Sequence, residues 1–238
     1  MNLIKNELIG VARKLSIDGE FLGYEEINSG HINSTYRVFF AQNGEKVDFI
    51  LQKINTYVFK QPVQMMENIS NVTEHIREKI RLNGGDAKRF VLHYQKTDDG
   101  KSYYISKNGD FWRCCVFIED SISFLNPESV KVVEESGKAF GEFQKHLFDY
   151  PVENLHIVIP HFHNTVLRYR TFREAIEKDL AGRKSGISKE IADYFALEEV
   201  ATSRIKCKPV KNCPFALLTT IQSLVTSYLM RTLMRICR

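Results

Sequence analysis

Two tight-turn signals placed close together set the strongest limit on how this chain can fold. Ser29-Gly30 joins two β-rich runs, 21–28 and 31–40, and the second alternates Ile32, Ser34, Tyr36 and Val38 in the period of a strand with one face inward. Asn43-Gly44 then precedes a third run, 47–54. Asn-Gly readily adopts the positive φ values that two-residue hairpin loops require, so the three runs are predicted to form an antiparallel meander. Before it, Leu3, Ile4, Leu8, Ile9, Ala12 and Leu15 repeat as the apolar face of a helix. After it, Pro62 can open a helix whose stripe Val63, Met66, Ile69, Val72, Ile76 and Ile80 ends before Asn83-Gly84-Gly85. Segments 90–94, 103–106 and 111–119 read as three further strands.

From Pro127 the pattern turns helical. Val130, Val133, Gly137, Phe140, Gln144 and Leu147 line one predicted face, with Asn126 as the cap, and 168–180 and 188–200 read as two more helices. The expected fold class is therefore α+β. Residues 1–119 would form an N-terminal helix and a β-rich lobe, 120–203 a helical lobe, and 204–238 a tail of different character.

Composition sharpens that division. With 43% hydrophobic and 26% charged residues, the 238-residue chain can bury a core. Its net charge of +4 comes from 33 Lys and Arg against 29 Asp and Glu. Seven of those cations, Arg204, Lys206, Lys208, Lys211, Arg231, Arg235 and Arg238, lie in the last 35 residues, where there is no acid. The first 203 residues keep 26 basic against 29 acidic groups, a net of −3, so no basic stripe marks a nucleic-acid binder. Five cysteines without a C-x-x-C pair or a completing histidine pattern fit a reducing cytoplasm rather than a zinc site. The N-terminus has no apolar core before a cleavage site, so a secretory signal is not expected and the sequons at Asn33, Asn68 and Asn71 have no use.

Chemistry enters at the turns and strand ends. A glycine at Gly30, between two strands, lets backbone N–H groups approach a phosphate, although most such turns are only turns and no G-x-G-x-x-G is present. Lys53 shares a strand face with Phe49 and Leu51 and is expected to point inward, where it needs an anionic partner or ligand. Glu67, on the next helix, is the candidate partner; a strand Lys paired with a helix Glu holds ATP phosphates in kinase-like folds. The plainer alternative is a snorkelling Lys53 and a solvated Glu67. His161 and His163 have no third ligand, and adjacent Cys114 and Cys115 point to opposite faces of a strand as packing residues.

The strings Ser29 to Tyr36, Leu51-Gln52-Lys53-Ile54-Asn55, Val58-Phe59, Met66-Glu67-Asn68-Ile69, Phe111-Trp112-Arg113, Gly137 to Phe143 and Ile159 to Thr165 together resemble the N-acetylhexosamine 1-kinases of the aminoglycoside phosphotransferase group. The resemblance covers roughly the first 200 residues. It implies a protein-kinase-like two-lobe fold with a complete β-rich lobe and an incomplete helical lobe. It also implies ATP and Mg2+ as cofactors and phosphoryl transfer to the anomeric hydroxyl of a small sugar. By it, Ser29, Gly30, His31 and Asn33 would cover the nucleotide phosphates, Lys53 would bind them, and Glu67 would orient Lys53. Val116 and the residues after it, Phe117, Ile118 and Glu119, would receive adenine.

Such a kinase needs H-x-D-x-x-x-x-N, whose Asp is the base and whose Asn binds magnesium, and a later metal-binding Asp. None of these occurs here, so no catalytic residue or metal ligand is assigned. The resemblance stops near Ser203, where the acid-free tail begins. In the alternate frame, the codons of 215–230 allow H-N-D-T-K-x-x-N, with the His spanning codons 218 and 219 and the Asp spanning 220 and 221. A changed reading frame is therefore expected, and with it a kinase-type chain without turnover. The alternatives are a non-catalytic nucleotide- or sugar-binding protein and a membrane anchor in the tail. The anchor is disfavoured by Thr219, Thr220, Gln222, Ser223, Thr226 and Ser227 within the uncharged run.

Overall fold

A computed structural model describes residues 2–28, 30, 32–119, 129–162 and 164–206. The tail beyond Lys206, with the hidden-frame segment and the anchor alternative, lies outside the described residues. So do Asn126, Ser29, His31 and His163.

The first helix, α1 (Asn2–Lys14), buries Leu8, Val11 and Ala12, with Leu15 just after it, and leaves Leu3 exposed. The meander follows as β1 (Glu20–Glu26), β2 (Ser34–Gln42) and β3 (Glu45–Ile54). Gln42 pairs with Glu45 across Asn43 (φ 53°) and Gly44 (φ 83°), the two positive φ values of a type I′ turn. Then come α2 (Pro62–Leu82), the short α3 (Ala87–Phe90), β4 (Tyr104–Ile105) and β5 (Phe111–Val116). The five strands form one antiparallel sheet in the order β1-β2-β3-β5-β4, which places β3 and β5 side by side.

The outer face of this sheet is covered by α1, and the inner face is covered over β3 and β5 but half-open over β2, where Thr35, Arg37 and Phe39 are only half-buried. On the outer face Tyr36, Val38, Phe40, Phe49, Leu51, Trp112 and Cys114 join Leu8, Val11, Ala12, Leu15 and Ile17 in one buried cluster under α1. The inner face carries Ile50, Gln52 and Ile54 opposite Cys115, Arg113 and Phe111, and α2 lies on that side, with Met66 Sδ 3.9 Å from Nη1 of Arg113. Two covered faces explain why Asp48 to Leu51 and Phe111 to Cys115 are unbroken buried runs rather than alternating ones.

Several expectations need correction. Segment 90–94 is no strand: Asp86 accepts a hydrogen bond from Lys88 N and caps the turn of α3, and only Tyr94 bridges to Cys115. In α4 (Val130–Leu147) the cap is Ser129, and the buried stripe is Ala139, Phe143 and Leu147, while Val130 and Val133 are exposed. The predicted helix at 188–200 is two helices, α6 (Ser188–Ala196) and α7 (Glu198–Lys206), parted at Leu197. The order of a β-rich region followed by helices is the α+β arrangement the sequence predicts.

Compact packing divides the chain after Val158. The first unit holds the sheet and α1 to α4. In the second, α5 (Thr165–Lys178), α6 and α7 gather Tyr169, Phe172, Tyr194 and Phe195 into an aromatic cluster, and Tyr169 donates to the Tyr194 carbonyl at 3.0 Å.

The junction between α1 and β1 depends on one glycine. Gly19 has φ +99°, and a Cβ there would stand 2.2 Å from the Ala41 carbonyl oxygen. Arg13 donates to the Gly19 carbonyl at 2.8 Å, so the strained position is also anchored to α1. Gly19→Ala should destabilise the chain by more than about 2 kcal/mol, because backbone rather than a movable side chain is in the way. Gly44→Ala, with φ +83° and nothing within 4 Å, should cost only about 1 kcal/mol. Urea midpoints of the two variants check this, and equal losses would refute it.

Candidate functional site

The turn between β1 and β2 is tied down at both ends. Ile27 N donates to the Thr35 carbonyl at 2.8 Å, and Asn33 Oδ1 accepts from Asn55 N at 3.0 Å, joining the turn to the end of β3. Asn55 in turn accepts from Tyr57 N at 3.0 Å. Gly30 is exposed, and a Cβ there would meet nothing within 4 Å.

Lys53 and Glu67 are not brought together. Lys53 does share its face with Phe49 and Leu51, but that face is the outer one, beneath α1. Its Nζ lies 2.8 Å from Asp110, 3.9 Å from Glu7 of α1 and 5.7 Å from the centroid of the Trp112 ring. Glu67, on α2 at the inner face, lies 2.9 Å from Nε2 of His156. No ion pair joins Lys53 to Glu67 among the described residues, because Lys53 shares the α1 side of the sheet with Phe49 and Leu51 while Glu67 stands on α2 beside His156. The Met66-Glu67-Asn68 string has another use here. Asn68 is buried and exchanges two hydrogen bonds of 2.9 Å with the backbone N–H and carbonyl of His156, fixing the segment before Val158 onto α2.

The inner face carries a cation that the sequence reading left unassigned. Arg113 is 8% exposed. Its Nε donates to Gln52 Oε1 at 3.0 Å, its guanidinium lies 5.7 Å from the Tyr94 ring centroid, and Gln52 Nε2 donates to Thr35 Oγ1 at 3.0 Å. Thr35, Gln52 and Arg113 thus form a row across β2, β3 and β5 next to the β1–β2 turn. The signal for it was strand alternation: if Lys53 faces outward, Gln52 and its partner Arg113 must face inward.

At the other end of the same face β5 runs into Phe117, Ile118 and Glu119. Phe117 N donates to the Asp48 carbonyl at 2.9 Å, and Arg37 lies 3.8 Å over the Phe117 ring while its Nε donates to Asp48 Oδ2 at 2.8 Å. A cavity of about 330 Å³ abuts this segment, lined by Lys46, Asp48, Lys88, His93, Phe117 and Glu119 among others. Burial, with Arg77 and Lys96 adding to it, holds the His93 imidazole below its ordinary pKa. On the outer face burial pushes the Cys114 thiol well up, which fits its packing role. Among the described residues there is no group of three His, Cys, Asp or Glu side chains that could hold a metal, and no helix long and apolar enough to cross a membrane.

No protein-family model matches the chain. Among solved structures it is similar to a spectinomycin phosphotransferase, APH(9)-Ia, in complex with ADP and spectinomycin, at 14% identity and a TM-score of 0.48. The match covers 81% of this chain and 55% of that one, so the chain spans about half the length of the structure it matches.

Proposed function

We propose that the first unit is the nucleotide-binding part of a small-molecule phosphotransferase of the aminoglycoside phosphotransferase group. ATP would lie along the inner face of the sheet. The β1–β2 turn, with Ser29, Gly30, His31 and Asn33, would cover its phosphates, and Phe117, Ile118 and Glu119 would receive its base. One observation carries this reading: the tethered turn and the Phe117 segment stand at opposite ends of one sheet face. Gln52 and Asp48 are four residues apart on β3, about 13 Å along a strand, a span that suits an extended nucleotide. The resemblance of the quoted motifs supports an N-acetylhexosamine as acceptor, at its anomeric hydroxyl, in a cytoplasmic setting.

Lys53 and Glu67 have no part in this arrangement, since each already faces an oppositely charged or hydrogen-bonding group on its own side of the sheet. The role proposed for the chain's own residues is to bind and orient the nucleotide, since the sequence carries no H-x-D-x-x-x-x-N. Nucleotide binding without transfer is the activity proposed for the 238-residue chain.

Calorimetric titration of the full chain with ATP checks this reading. One nucleotide per chain is expected, with adenosine binding more weakly. The absence of any heat of binding with ATP and ADP at millimolar concentration would overturn it.

A further inference from the structure

Arg113 poses a physical problem that the fold alone does not solve. A guanidinium taken out of water is costly unless its charge is met by an opposite one. At 8% exposure, Arg113 has a neutral amide at Nε, a thioether at Nη1 and the Tyr94 ring beside it, and it faces no carboxylate among the described residues. The acids that could have served are engaged elsewhere, Asp110 with Lys53 and Glu67 with His156. Lys53, by contrast, is 36% exposed at its side chain and already met by two carboxylates.

We infer that Arg113, held in place by Gln52, is the residue that receives the anionic phosphates on the inner face of the sheet, in the place first expected of Lys53. The planar fork of an arginine can give two parallel N–H bonds to phosphate oxygens, and a site of low polarity strengthens them. Gln52 acts as a positioning residue: its carbonyl fixes Nε, and its amide ties the guanidinium to Thr35 at the base of the turn. The phosphate would thus be held at the row Thr35-Gln52-Arg113. The identity of the anion as part of a nucleotide rests on the function proposed above; the anion site itself does not.

The test is calorimetry of the full chain with ADP, adenosine and inorganic tripolyphosphate. Arg113→Gln should weaken ADP and tripolyphosphate by about tenfold to a hundredfold and leave adenosine unchanged. Lys53→Gln should change ADP binding by less than about threefold, and Gln52→Leu should weaken ADP several-fold while its far-ultraviolet spectrum stays that of the parent. If Arg113→Gln fails to fold, Arg113→Lys keeps the charge without the fork and should still lose several-fold in ADP affinity. Parent-like ADP binding by the arginine variants, or a large loss in Lys53→Gln instead, overturns the inference. Tripolyphosphate binding that depends on Arg113 and gains nothing from adenine would uphold the anion site and reject the nucleotide. A parent chain that binds neither ADP nor tripolyphosphate rejects both.

Discussion

Incubated with ATP, magnesium and an N-acetylhexosamine, the full 238-residue chain should release sugar phosphate at a rate far below a kinase's usual turnover of about 1 to 100 per second. A positioned general base contributes about a hundred- to ten-thousandfold, and H-x-D-x-x-x-x-N is absent from the chain. Two carboxylates near the inner face already have partners. Asp48 is engaged by Arg37, and Glu67 by His156. A coupled assay that follows ADP formation reads the result directly. Restoring the alternate frame across codons 208 to 230, which allows the missing His, Asp and Asn, supplies the paired control. Turnover that rises with the restored frame supports the kinase reading, and ordinary turnover from the 238-residue chain itself refutes the expected loss.

Replacing Trp112 by alanine should unfold most of the first unit. Trp112 is the chain's single tryptophan, is fully buried, and packs beside Tyr36 in the cluster beneath α1. Removing a large buried aromatic costs about 3–5 kcal/mol, a major share of the roughly 5–15 kcal/mol that holds a typical domain. Trp112→Phe should behave differently. The indole Nε1 is buried with no hydrogen-bond partner among the described residues, and an unsatisfied buried donor costs about 1–3 kcal/mol, so its removal offsets much of the lost packing. Circular dichroism melts of both variants check this. A phenylalanine variant as damaged as the alanine one would show that the indole packing, not the unpaired donor, dominates.

The sequence made the meander legible because its signals are local. Asn43-Gly44 can take the two positive φ values a tight hairpin requires, and Pro62 marks the first turn of α2 without help from distant residues. What it could not show was which side of the sheet each helix would cover. Phe49, Leu51 and Lys53 were correctly placed on one face, yet that face belongs to α1, a helix that precedes the sheet and whose docking depends on residues as distant in sequence as Trp112 and Cys114. The site reading inherited that ambiguity: Lys53 was drawn toward Glu67 when it is Arg113 that stands on the α2 side. Segment 90–94 was misread because Phe90 closes the turn capped by Asp86, and the residues after it reach β5 only through the Tyr94–Cys115 bridge rather than as a strand. In α4 the predicted stripe failed because burial follows the partner α2, and only Leu147 of the expected face is buried.

Hydrogen–deuterium exchange of the full chain with and without ADP tests the central claim most directly. Slowed exchange is predicted in two separated stretches, the turn from Ile27 to Asn33 and the segment from Val116 to Glu119, with the outer-face cluster under α1 unchanged. Protection confined to the Lys53 side of the sheet, around α1 and Asp110, would contradict it.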